Sequence, residues 1–229
     1  MMPSVLSAFS ALDTLAVLLL LGAWGGVGWA IENPPAGRPS VSTLMHRYRR
    51  DWMSEMITRQ PRIFDASILA TLRQGTTFLA SGAMIAVGGV LALAGNVERL
   101  DDAVMGIGVA GQPAAFWQGK LALVALLLTV ALFKFIWSNR LFGYCAVVMA
   151  AVPNDPQDRH AVPRAAQAAE INIRAAINFN RGLRTLYFAF AALTWLIGPW
   201  ALMIGTAGTA WVLIAREFTS QSRGLLMED

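Results

Sequence analysis

The sequence predicts an all-α membrane protein with four transmembrane helices. Helices two to four extend into the cytoplasm, and an amphipathic helix lies at the interface. Three observations lead there. The 229-residue chain is 56% hydrophobic and only 14% charged, a balance that fits neither a soluble domain nor a disordered chain. Four apolar runs reach or exceed the ~20 residues that cross a hydrocarbon core. The polar intervals between them are too short for a separate soluble domain, so residues 1–229 form a single membrane domain.

The first span is expected at about residues 9–31. No Arg or Lys precedes it, and it is too long for a signal-peptide core, so it reads as a retained helix. Gly22 and Gly26, with Gly25 and Gly28 nearby, form a small-residue face that allows a second helix to approach closely. Asp13 is the acidic group placed inside an apolar span, about one turn from its outer end. An intramembrane carboxylate is a candidate for proton or cation handling, although water or Lys120 is within reach at that depth.

The run "ENPPAGRPS" stops this helix, because consecutive prolines remove donors and fix the backbone. After it, Val41, Leu44, Met45, Tyr48, Trp52 and Met56 recur at helical spacing, with Arg47, Arg49, Arg50, Asp51 and Glu55 largely opposite them. This predicts an amphipathic helix over about residues 40–58, of the composition that lies in a headgroup plane.

The second span (about 72–94) and the third (about 116–138) each belong to a longer helical run. Their cytoplasmic extensions cover about 61–72 and 138–150 and carry Asp65 and Arg140, with Arg73 in the interfacial zone beside the first. The last helix is expected to run unbroken from Pro163 to Arg216, as an extension over about 163–183 and a span over 184–216. Gly198-Pro199 would be a kink within it. Gln167, Glu170, Arg174, Asn178 and Arg181 fall on one stripe of that extension. Asparagine is a mediocre helix former, so Asn172, Asn178 and Asn180 in close succession point to hydrogen bonds between helices.

Basic residues concentrate after the first and third spans. By the positive-inside rule these segments are cytoplasmic and both termini lie outside, in a bacterial inner membrane. Arg47, Arg49, Arg50, Arg73, Arg140, Arg174, Arg181 and Arg184 then form an arginine belt at the inner headgroup level. Guanidinium groups suit phosphate and carboxylate. The belt serves either as topology signal and anionic-lipid contact, or as a pocket for a phosphate head group, with Arg73 and Arg174 the best placed. Arg73 has Asp65 and Glu170 as alternative partners.

Other chemistry finds little support. Cys145 stands alone in an apolar run, and His46 and His160 lie in no cluster at ligand spacing, so no metal site is expected. No cofactor motif and no catalytic triad can be assembled. The basic balance belongs to cytoplasmic loops rather than to nucleic-acid binding.

Two passages, "DWMSEMITRQPRIFDASILATLRQGTTFLASGA" and "EINIRAAINFNRGLRTLYFAFAALTWLIGPWALM", carry a resemblance. They resemble the signature regions of a family of bacterial and plant multi-pass membrane proteins, catalogued as domain of unknown function 599. Trp52, Arg73, Asn178, Gly182, Arg184, Tyr187, Trp195, Gly198 and Pro199 fit its pattern, whereas Asp65 stands where an amide is expected. The resemblance implies a four-helix membrane protein and brings no activity, substrate or cofactor.

The function expected is that of a non-enzymatic scaffold, accessory or lipid-binding protein. Its partners would be membrane lipids, especially anionic phospholipid. The small-residue faces add a homo-oligomer or a larger membrane complex to the expected partners. An oligomeric channel or transporter for small anions is the alternative. A lipid-phosphate enzyme with Glu170 as base is the remote one.

Overall fold

The structure, a computed structural model, describes residues 9–98 and 112–228; the glycine-rich connection predicted after the second span lies largely outside them. The described residues are helical and contain no strand. In order they form α1 (Ala11–Glu32), α2 (Val41–Glu55), α3 (Ile63–Ala94), α4 (Ala114–Ala150) and α5 (Ala161–Leu193). A 3-10 turn (Thr194–Leu196), α6 (Pro199–Phe218) and the short α7 (Gln221–Leu225) follow.

Four candidate spans are long and apolar enough to cross a membrane: Ala11–Glu32, Ile63–Ala94, Ala114–Ala150 and Pro199–Leu225. The 32 residues of α3 and 37 of α4 correspond to about 48 and 56 Å of helix. Both exceed a core of about 30 Å. The amphipathic segment forms α2, begun by Ser40, whose hydroxyl accepts from the Thr43 N–H at 3.2 Å and donates to the Ile31 carbonyl at 2.8 Å.

The unbroken last helix is not what forms. The helix ends at Leu193, and Gly198 adopts φ +152°, a conformation that side-chain-bearing residues rarely take. Pro199 follows as the first residue of α6, where its missing N–H has no partner to lose. The chain then doubles back. The Thr194 hydroxyl lies 2.6 Å from the Ala191 carbonyl oxygen and 3.0 Å from that of Ala201. A Cβ on Gly205 would sit 2.9 Å from the Thr194 hydroxyl oxygen and 3.6 Å from the Ala191 carbonyl. In a continuous helix, Ala191 and Gly205 would be about 21 Å apart. The segment expected as one span over 184–216 is therefore the tip of a helical hairpin.

The chain divides into two compact units. One draws on the described residues of Met1–Ala30, Gly82–Ala131 and Leu183–Ala215. At its centre Phe116, Trp117 and Leu121 are buried, with Phe9, Val90 and Leu196 against them. The face of Gly22, Gly25 and Gly26 has no atom of the described residues within contact distance of an added Cβ.

The other unit draws on Ile31–Ser81, Leu132–Gly182 and the described part of Arg216–Asp229. Its core joins Met53, Met56, Phe142, Cys145 and Met149 to an alanine face of α5 that includes Ala165, Ala168 and Ala169. Here α4 and α5 run antiparallel. The Ser138 hydroxyl donates to the Ala175 carbonyl at 2.7 Å, and the Cys145 thiol lies 3.4 Å from the Ala168 carbonyl. Small side chains on α5 allow this approach. Gly182 is its limit, because a Cβ there would meet the buried Phe135 ring at 2.8 Å.

Candidate functional site

The predicted arginines divide between the two units. Arg184 belongs to the first unit, where it is buried with its Nε 3.9 Å from where a Gly28 Cβ would stand. The other seven lie in the second unit, and most are already engaged.

On α2, Arg47 forms an exposed ion pair with Asp51 at 3.7 Å. Arg50 Nε bonds Glu170 at 2.8 Å, again in the open. Arg49 donates to the side-chain oxygen of Asn172, which is fully buried and donates in turn toward the Cys145 sulfur at 3.6 Å. Burial draws the Arg49 pKa down from its ordinary value. Arg181 grips Glu32 with two forks, Nε at 2.9 Å and the terminal nitrogen at 2.5 Å. Arg140 bonds the Tyr144 hydroxyl one turn along α4 at 2.6 Å.

Two arginines stand apart. Arg174 is exposed on α5 and pairs with no described side chain, while Asn178 donates to its backbone carbonyl at 2.9 Å. Arg73 is exposed on α3, and its one described partner is the Asn139 side-chain oxygen at 3.4 Å. The partners suggested by the sequence are taken elsewhere, Asp65 by Arg59 and Glu170 by Arg50. Asn180 bonds the Ser42 hydroxyl at 3.3 Å, and that hydroxyl donates to Glu217 at 2.8 Å.

Arg73 lines a cavity of about 390 Å³ in the second unit. The walls are apolar, built by Met56, Leu69, Ala70, Ala146, Met149 and Ala150. The polar lining comes from Arg62, Asp65, Arg73 and Asn154. Arg62, which the sequence reading left out of the site, donates to the carbonyls of Val152 at 2.6 Å and Pro153 at 2.7 Å. It thus holds the turn that follows α4, beside the negative end of that helix. Asp65 sits in the first turn of α3 with its side chain 1% exposed. Its Oδ1 accepts from the Trp52 indole at 2.7 Å and from Arg59. No sequence pattern marks this cavity, since its apolar walls are alanines, methionines and a leucine that read as ordinary core.

Asp13 lies in the first unit, as part of a helix cap. Its N–H bonds the Ser10 hydroxyl at 3.1 Å, and its carboxylate accepts from the Ser10 N–H at 3.0 Å. The other carboxylate oxygen takes the Trp195 indole N–H at 2.7 Å. Lys120 is 1% exposed, donates to the Trp195 carbonyl at 2.8 Å, and stands 4.1 Å above the Phe116 ring. Among the described residues, no three His, Cys, Asp or Glu side chains come together as a metal site.

Comparison with curated proteins and with solved structures gives no match. A family model described as protein of unknown function, DUF599, matches residues 15–222, from α1 into α7. With almost the whole chain covered, and with apolar helices of membrane-spanning length, the protein is a member of the DUF599 family.

Proposed function

We propose that this membrane protein binds a phospholipid through the cavity between α3 and α4, with Arg73 engaging the head-group phosphate. One observation carries the reading. A guanidinium with no ion pair among the described residues stands on an apolar cavity of a size that takes part of an amphiphile. Exposed Ile63, Phe64 and Val147 lie on the same two helices, as expected for surfaces that face lipid. Phosphate is the natural acceptor for a guanidinium fork beside hydrocarbon.

Orientation follows from the same unit. The basic segment around α2 is cytoplasmic by the positive-inside rule. Arg223 bonds the Pro39 carbonyl at 2.9 Å, and Glu217 accepts from the Ser42 N–H and hydroxyl. The C-terminal end therefore lies on the cytoplasmic side with α2, opposite to the outside placement expected from four crossings. Arg216 and Arg223, which the sequence count assigned outside, go to the cytoplasmic side with it.

The test is native mass spectrometry of protein extracted with its own lipids. Wild type retains a phospholipid adduct, and Arg73→Ala lowers its occupancy at least fivefold at unchanged thermal stability. Equal adducts in both proteins would reject the reading.

A further inference from the structure

Two residues that line the cavity each carry one buried, unmet polar atom, and the two atoms are of opposite kind. Asp65 Oδ2 is buried without a hydrogen-bond partner, and so is Arg62 Nε. The other groups of these side chains are committed. Asp65 Oδ1 is held by Trp52 and Arg59, while the terminal nitrogens of Arg62 are spent on the carbonyls of Ile57, Val152 and Pro153. A carboxylate oxygen hidden from water calls for a donor, and a buried guanidine N–H calls for an acceptor. Both residues line one cavity, whose other lining is apolar apart from Asn154 and the exposed cation Arg73.

We infer that the lipid is one whose head group carries a primary ammonium beyond its phosphate, of the phosphoethanolamine class. This rests on the phospholipid reading above and names its head group. The phosphate oxygens accept from Arg73 and from the Arg62 Nε–H. Both buried atoms are closed off from solvent, so Asp65 and Arg62 turn them inward on binding. The ammonium then donates to Asp65 Oδ2, and an acyl chain runs along Leu69, Ala146 and Met149. A choline head group has no N–H to offer the carboxylate. A glycerol head group offers a neutral hydroxyl, and its bond to a carboxylate lacks the cationic donor that makes ion-assisted bonds short and strong.

The experiment uses full-length protein in nanodiscs of phosphatidylcholine containing equal amounts of phosphatidylethanolamine and phosphatidylglycerol, read by native mass spectrometry. Wild type should enrich the ethanolamine lipid about tenfold over the glycerol lipid. Asp65→Asn should bring that ratio to the bulk value through loss of the ethanolamine lipid, with retention of the glycerol lipid persisting. Because Asp65 also holds Arg59, a second series leaves the protein unaltered and varies the lipid from ethanolamine through its N-methyl and N,N-dimethyl forms to choline. Retention should persist while an N–H remains and fall at choline. Equal retention of the ethanolamine and glycerol lipids, or no step at choline, overturns the head-group inference but leaves phospholipid binding standing. Retention of both no better than choline lipid overturns both.

Discussion

At the scale of single residues, charge in this protein is managed by local partners, and the sequence reveals charge more readily than partners. Arg49 and Arg50 are adjacent in the chain yet differ in kind, one held by a buried amide and the other by an exposed carboxylate. His46 feels both. Burial lowers its pKa below the ordinary 6.5, and the neighbouring charges of Arg50 and Arg49 lower it further, against weaker opposition from Glu170 and Glu32. The folded protein therefore binds a proton at His46 less readily than the unfolded chain does. Stability from this group is present above pH 6.5 and is lost as pH falls through that value toward the lower folded pKa. Thermal melts above and below pH 6.5 should show wild type losing more stability on acidification than His46→Gln. Parallel losses would assign the acid sensitivity to other groups.

At the scale of elements, helix existence was legible and helix direction was not. Apolar length placed α1, α3 and α4, and Ser40 with the preceding prolines placed the start of α2. The last apolar run misled because hydropathy is blind to where a chain turns. Gly198-Pro199 is equally compatible with a kink and with a reversal. What decides is the set of small side chains on both sides, Ala191, Thr194, Ala201 and Gly205, which allows the backbones to meet once the helix breaks. The hairpin is directly measurable. Phe190 and Trp211 are exposed, at 54% and 74%. Spin labels at these positions, in a Cys145→Ala background, should lie within about 15 Å across a hairpin, as packed helices set axes 8–10 Å apart. A continuous helix would hold the two Cα atoms about 32 Å apart. A long distance by pulsed EPR would rule the hairpin out.

At the scale of the whole molecule, the reversal bears on the sidedness proposed for the chain. Counting charges with the last apolar run as one crossing placed Arg216 and Arg223 outside. The membrane class follows from the sequence under either count, since it rests on composition and run length alone. The site does not, because Arg62 and Asp65 acquire meaning only when α3 is packed on α4, a pairing no local pattern encodes. Sidedness can be decided without reference to any ligand. The contacts from Arg223 to Pro39 and from Glu217 to Ser42 tie the C-terminal end to the start of α2. Whichever side holds the basic α2 segment therefore holds Arg223 as well. A fluorescent-protein fusion after the last residue should be bright, because that reporter folds in the cytoplasm, whereas a periplasmic phosphatase fusion at the same point should be inactive. A bright phosphatase signal with a dark fluorescent fusion would place the C-terminus outside. It would return α5 and α6 to a single crossing and separate Arg223 from α2.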